Sequence, residues 1–229
     1  MAVTSTYPSA GYGTGTLAAS TPAGTGGVLV ALVFYGSQGA NPRPAPVTAA
    51  DWTLIDTNDE WSNVRLRRYI TDDATPDLDF TYTNNECGVM LYRIDDAASP
   101  LVYGSAYDDY VITFTTGTVT LPDVTVATGD GVGLVHYLLD QPNPPPNSQS
   151  LSWTLDRSGD VGPAGWYAND MASYHLIGAS AAGSFDAGTA TWTTSSAASV
   201  GTIFVHTAAG GGAPPLFNRR TPIAHLLRR

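Results

Sequence analysis

Serine, histidine and cysteine are the residues of this chain that could support nucleophilic hydrolysis. That chemistry needs a serine or cysteine beside a histidine that a third polar group orients. The chain has four histidines and a single cysteine, Cys87. It lacks a Gly-x-Ser-x-Gly nucleophile elbow, and His136 and His206 fall inside predicted strands. We therefore predict structural roles for both histidines, a buried core position for Cys87, no catalytic residue and no enzymatic activity.

The twenty Asp and Glu residues form the largest group that could do chemistry. A glycosidase would need two carboxylates facing each other across a sugar cleft, and calcium binds oxygen ligands of this kind. Most of these residues lie in predicted loops, where solvation explains them, and no Asp-x-Asp-x-Asp-Gly loop occurs. We predict no metal site and no cofactor; a glycan-cleaving enzyme and a calcium site remain open as alternatives.

Aromatic residues near predicted turns offer a third kind of chemistry, because ring faces stack on the apolar faces of sugars. Trp61, Trp166 and Tyr167 are the possible glycan contacts. The interpretation that we prefer is that such rings close the ends of the hydrophobic core. The alternative is a carbohydrate-binding module that contacts a host cell surface.

The end of the chain combines a linker with a basic, apolar segment. Residues 210–215 change from Gly-rich to Pro-rich, as in a linker that stiffens along its length. Residues 216–229, here called the C-terminal arm, alternate apolar residues with arginine, which suits docking onto an acidic partner. The predicted partner-binding residues are Leu216, Phe217, Arg219, Arg220, Ile223, Leu226, Leu227, Arg228 and Arg229.

Charge is unevenly distributed along the chain. The formal net charge is -10, and all ten basic residues are arginines. Six arginines and twenty acidic residues give residues 1–215 a charge of -14, whereas four arginines give the C-terminal arm +4. An acidic body argues against nonspecific nucleic-acid binding. No stretch reaches the 18 apolar residues or so of a membrane span, so neither nucleic acid nor membrane is a predicted partner.

Hydrophobic patterning predicts an all-β chain. Residues 28–35 form a continuous apolar run, typical of a strand covered on both faces. Residues 64–70 alternate, with Val64, Leu66 and Ile70 on one side. Further strands are predicted at 13–18, 78–83, 89–94, 111–115 and 118–126, the last broken near Pro122. Helix signals are nearly absent, apart from a short segment at 221–229.

An internal duplication organises these strands. An apolar strand, a Pro-rich loop and a Trp-Thr-Leu segment occur in the same order in both halves, with Trp52 and Trp153 at matching places. Residues 65–70 match 172–177, and 89–94 match 202–207. The prediction is one jelly-roll-like β-sandwich over residues 28–209, with repeated halves at about 28–94 and 129–207 that share a core. Residues 1–27 precede it as an N-terminal arm or first strand. Two tandem domains are the alternative.

These features resemble small virion proteins of tailed bacteriophages, the minor tail or head-decoration proteins. The resemblance covers residues 14–207 and rests on the apolar strand after Gly27, the Pro-rich loop, Trp52 and the strands through Tyr92. It implies a β-sandwich, location in the virion and no catalysis. The expected partners are major capsid or tail subunits, further copies of this chain and, in the alternative above, host glycans. The C-terminal arm would anchor the protein to the particle.

Overall fold

The computed structural model describes residues 2–7, 11–24, 26–37, 43–58, 64–114, 117–139, 145–160, 170–180, 183–193 and 196–207. Within these ranges the chain forms seventeen β-strands and one short 3-10 helix, Ala49–Asp51. The predicted all-β sandwich is confirmed. The predicted helical segment at 221–229 lies outside the described residues.

Seven strands build the first half of the protein. The apolar run predicted at 28–35 is β3, and the segments predicted at 78–83 and 89–94 are one continuous strand, β7. β1 and β2, from the predicted N-terminal arm, pair with the two ends of β7. The strands are β1 (Val3–Thr6), β2 (Gly11–Ala18), β3 (Val28–Ser37), β4 (Ala45–Pro46), β5 (Thr53–Asn58), β6 (Val64–Thr71) and β7 (Asp79–Ile94).

Ten strands build the second half. The segment predicted at 118–126 is two strands, β9 and β10, interrupted around Pro122, which cannot donate a backbone hydrogen bond. The strands are β8 (Tyr103–Phe114), β9 (Gly117–Thr120), β10 (Val124–Thr125), β11 (Gly129–Leu139), β12 (Ser148–Gln149), β13 (Thr154–Asp160), β14 (Asp170–Ser180), β15 (Ser184–Phe185), β16 (Thr189–Trp192) and β17 (Ser196–His206).

The two halves have the same sheet order. In the first half the large sheet runs β5-β6-β3-β7-β1, and in the second it runs β13-β14-β11-β17-β8. A smaller group of strands, here called a small sheet, accompanies each. In the first half, β2 and β4 extend the same sheet along the first part of β7, and in the second half β9 and β12 pair with β16 in a separate sheet. Neighbouring strands are antiparallel throughout the described pairs.

Strand register sets which residues of the two halves correspond. Tyr69 pairs with Leu54 and Ala31, and Tyr174 pairs with Leu155 and Val135, so the two tyrosines occupy the same place. The sequence match had placed 65–70 opposite 172–177, two residues away. A shift of two residues leaves every side chain on the same face of the strand, so the hydrophobic pattern does not detect it.

Three layers of apolar side chains fill the protein. Alternate residues of β3 and β11 meet in a central core between the two large sheets, which contains Leu32, Phe34, Leu134 and Leu138. The opposite faces of these strands pack under the small sheets. Trp52 and Phe80 lie in the outer core of the first half, with Leu17 and Val33. The outer core of the second half contains Tyr137, Phe185, Trp192 and Phe204.

Both large sheets have irregular outer strands. β5 has a β-bulge between Leu54 and Asp56, and β13 has one between Leu155 and Arg157. The bulge lets Asp56 and Asp156 turn towards the layer between the sheets. At the start of β3, Gly27 has a φ of 77°, and a side chain there would collide with the backbone of Ile94. Only glycine therefore fits where β3 begins beside the end of β7.

Candidate functional site

The residues predicted to bind partners or glycans lie outside the described part of the chain. This applies to Trp61, Trp166 and Tyr167, and to the whole linker and C-terminal arm, with Leu216, Phe217, Arg219, Arg220, Ile223, Leu226, Leu227, Arg228 and Arg229. The polar groups that the structure does bring together belong to other residues. Most of them lie between the two large sheets.

One arginine connects the two halves across the central layer. The side chain of Arg68, on β6, is fully buried, and its guanidinium forms a bidentate ion pair with Asp56 on β5. Its Nη1 also donates to the backbone carbonyls of Ala106 at 3.2 Å and Thr202 at 3.1 Å, both in the second half. The hydroxyl of Ser105 donates to Asp56 at 3.2 Å. Because a buried charge is tolerated only when it is paired and hydrogen-bonded, Arg68 fixes the position of the second half.

The sequence contained a signal for this residue. In the alternating segment 64–70, Arg68 falls on the same side as Leu66 and Ile70, which both face the central core. A charge on the buried side of a strand requires a partner in the fold. Its acceptors are backbone carbonyls far along the chain, so the sequence alone did not identify them.

A second polar cluster crosses the central layer at β7 and β14. The hydroxyl of Tyr92 lies 2.6 Å from Oγ of Ser173 and 3.0 Å from Oδ2 of Asp156. Nδ1 of His175 lies 2.8 Å from Oδ1 of the same Asp156. Burial, with the nearby Asp156 carboxylate as a smaller cause, raises the pKa of Tyr92 well above its ordinary value. Tyr92 therefore stays protonated and can donate its hydrogen bond.

The cluster contains the residue types of a hydrolytic triad but not its arrangement. A nucleophilic serine must contact its histidine and be open to substrate. Ser173 is fully buried, and its hydroxyl pairs with Tyr92. The aspartate and histidine pair with each other on neighbouring strands. This geometry joins the first half to the second and does not activate Ser173.

The histidines predicted to have structural roles lie in strands β11 and β17. His136 is fully buried, and neither of its ring nitrogens has a hydrogen-bond partner among the described residues. Burial, and to a lesser degree the charge of Arg68, lowers its pKa well below the ordinary value. Burial also lowers the pKa of His206, while a hydrogen bond to the backbone of Asp130 raises it by a smaller amount. Both histidines are therefore neutral at physiological pH.

The carboxylates include three in a cleft of about 320 Å³ beside the end of β6. Oδ2 of Asp51 accepts from the backbone N–H of Asp77 at 2.9 Å, and Oδ1 of Asp73 accepts from that of Thr75 at 2.8 Å. Among the described residues, no three His, Cys, Asp or Glu side chains are placed to hold a metal ion. The carboxylates of Asp51 and Asp73 thus accept hydrogen bonds from the backbone of the loop. The cleft is lined by Ala50, Asp51, Thr53, Ile70, Thr71, Asp72, Asp73 and Leu101.

Arginines of the body make contacts within the protein. Besides Arg68, Arg93 is buried and donates to the backbone carbonyls of Pro22 and Gly26. Arg67 donates to the carbonyl of Pro44, and Arg157 lies 4.0 Å above the ring of Tyr7. About half of the described aspartates are instead exposed. The exposed aspartates in the described part are Asp72, Asp73, Asp96, Asp123, Asp130 and Asp186.

Cys87 is buried in the outer core of the first half, as predicted. Burial raises the pKa of its thiol to about 12, which keeps it protonated and unreactive at physiological pH.

Comparison with known proteins found no match for this chain among protein-family models, curated proteins or solved structures. Among the described residues, no helix has the length and apolar character needed to cross a lipid bilayer.

Proposed function

We propose that this protein is a structural, non-catalytic component of a bacteriophage virion. It acts as a capsid-decoration or minor tail protein, anchored to the particle by the C-terminal arm. Its partners are major capsid or tail subunits and further copies of the same chain. The sequence resemblance described above motivates this proposal, and the distribution of charge is the observation that carries it.

Charge is divided between the two parts of the protein. Residues 1–215 have a net charge of -14, and the arm has +4 with no acidic residue. Within the body, Arg68, Arg93, Arg67 and Arg157 are used in internal contacts. The arginines of the arm are therefore the main basic group available to a partner. Arginine beside apolar residues suits an acidic, grooved protein surface.

The polar groups of the central layer support a structural role. Arg68 and the Tyr92 cluster join the two halves, and the described titratable groups there pair with each other or with backbone. His136, which has no such partner, is fully buried and cannot reach a substrate. A β-sandwich whose two halves share a central core suits a structural component of a particle.

The experiment that tests this proposal deletes residues 210–229. Among the described residues, the three hydrophobic cores extend as far as Val205, so we expect the truncated body to fold. Circular dichroism and thermal melting should match those of the full chain. Particles assembled with the truncated protein should lack it, as measured by mass spectrometry of purified virions. Normal incorporation would exclude anchoring by the arm.

A matched variant separates charge from length. Replacing Arg219, Arg220, Arg228 and Arg229 with glutamine keeps the arm but removes its charge, and should reduce incorporation most at low salt. The difference from the natural protein should shrink as added salt screens the charges. Unchanged incorporation would show that charge does not drive docking. A glycan array on the same preparations tests the alternative. Binding that disappears when Trp61, Trp166 or Tyr167 is changed to alanine would instead favour a carbohydrate-binding module.

A further inference from the structure

His136 lies in the central layer, at a place where the first half has an apolar residue. On β11 it lies between Ser173 of β14 and Gly201 of β17. The corresponding residue of β3 is Leu32, which lies between Arg68 and Met90. An imidazole therefore takes the place of a leucine in the core that the two halves share. It is fully buried and has no hydrogen-bond partner among the described residues.

The charged groups around this layer cannot stabilise a protonated imidazole. Arg68 is the charged group that acts on His136, and it is positive. Asp56 offsets part of that charge through its ion pair, but its side chain is 31% exposed and already bound to the guanidinium. Asp156 is engaged by Tyr92 and His175. Among the described side chains, the ionisable ones that contact the central layer are Tyr7, Asp56, Arg68, Tyr92, Tyr103, Asp156 and His175.

We propose that the junction between the two halves is an acid-sensitive joint, in which protonation of His136 separates the two large sheets while both outer cores stay folded. Opening the joint lets water reach the His136 imidazolium and moves the imidazolium away from Arg68. The closed joint offers it no hydrogen-bond acceptor among the described residues, and the nearby carboxylates of Asp56 and Asp156 are already paired.

The direction of the pH effect follows from the environment of His136. Its pKa in the closed protein is well below the ordinary value of 6.5, first because of burial and then because of Arg68. The open form therefore binds the proton more readily than the closed form. Stability of the joint is complete above pH 6.5 and falls as the pH drops below that value. Each unit of pKa depression corresponds to a loss of about 3–5 °C in melting temperature for a protein of this size.

The outer cores have no comparable weakness. The outer core of the first half contains Trp52 against Phe80, at a ring distance of 5.6 Å. That of the second half contains Trp192 against Tyr137, also at 5.6 Å. The central core contains no tryptophan among the described residues. Once Trp61 and Trp166 are changed to phenylalanine in every protein compared, the tryptophan signal comes from Trp52, Trp153 and Trp192 and reports on the outer cores. A dye that binds exposed apolar surface reports on the opened joint.

The test compares the full-length protein with His136→Leu, which introduces the residue that the first half uses. Dye fluorescence and near-ultraviolet circular dichroism are followed from pH 7.5 to 5, where histidine is the side chain that ordinarily titrates. The natural protein should bind dye at a higher pH than that at which its tryptophan signal is lost. In His136→Leu the dye-binding step should disappear or shift down by at least one pH unit.

His206→Gln is the matched control, since His206 is also buried with a lowered pKa but lies on the outer face of its sheet, beside Phe204. It should keep the dye-binding step. The proposal is overturned if His136→Leu binds dye at the same pH as the natural protein, or if dye and tryptophan signals change together. Should His136→Leu not fold, NMR titration of the natural protein decides. Protonation of the His136 ring near pH 6.5 without dye binding would also overturn it.

Discussion

The two halves of this protein share a strand order but present different residues to each other. Arg68 of the first half corresponds to Ser173 of the second, and Tyr92 corresponds to Ile203. Where Arg68 reaches across the central layer, the second half has Gly201 in the position that Met90 takes in the first. Where Tyr92 reaches across, it meets the small Ser173. Large residues of one half thus meet small residues of the other.

This difference teaches that each half is shaped for the other and not for a copy of itself. Two first halves would bring Arg68 towards a surface with Met90 and without the small Gly201. The outer cores also differ, each in a way that fits its own half. Gly133 stands where the first half has Leu29, and a side chain there would collide with the ring of Phe185. Backbone order is repeated, whereas side-chain volume is redistributed between the halves.

The largest expected effect comes from removing the arginine that the second half lacks. Arg68→Ala should lower the free energy of unfolding by about 3–5 kcal/mol, because Asp56 loses its ion-pair partner and the central layer gains a cavity. Urea unfolding followed by tryptophan fluorescence measures this loss. The control is Arg157→Ala, which removes a cation–π contact to Tyr7 and should cost about 1 kcal/mol or less. Equal losses in the two variants would contradict the assigned role of Arg68.

The next effect tests the exchange of leucine for histidine. Leu32→His places a second imidazole in the central core and should cost about 2–3 kcal/mol at pH 7.5, since apolar contacts are lost and a polar ring is buried. Thermal melts across pH would then show a stronger loss on acidification than the natural protein. A variant as stable as the natural protein at both pH 7.5 and 5 would show that the two halves tolerate histidine equally.

The smallest effect concerns the tyrosine that faces a serine. Ser173→Ala removes one partner of the Tyr92 hydroxyl, which keeps its 3.0 Å hydrogen bond to Asp156. The loss should therefore be about 1 kcal/mol. Tyr92→Phe serves as the comparison, because it removes both hydrogen bonds and should cost more. A reversed order in urea unfolding would mean that Ser173, rather than Asp156, is the main partner.

Much of the fold could be predicted from the sequence. The apolar run at 28–35, the alternation at 64–70 and the break near Pro122 each correspond to observed strand features. The pairing of β1 and β2 along β7 could not, because the Gly-, Ser- and Thr-rich segment that forms them has no apolar period. The exact residue-by-residue correspondence between the halves could not be predicted either. Shifting the alignment of the two halves by two residues leaves every side chain on the same face of its strand.

The polar contacts of the central layer were less predictable. The place of Arg68 on an apolar strand face is a signal that could have singled it out, but its partners in the second half are backbone carbonyls in β8 and β17, one of them 134 residues away. His136 looked like an ordinary strand residue, because nothing in its local sequence indicates that two sheets cover it. Contacts of this kind depend on the packing of whole sheets and not on local patterns.

The β-bulges of β5 and β13 affect how this protein can associate with neighbouring molecules. An outer strand with a regular row of free N–H and C=O groups invites a neighbouring molecule to add to the sheet. Here β5 and β13 are kinked, and each directs an aspartate, Asp56 or Asp156, towards the interior. Continued strand addition at these two edges would have to straighten the kink and disturb that carboxylate. These two edges are thereby protected against extension of the sheet by another molecule.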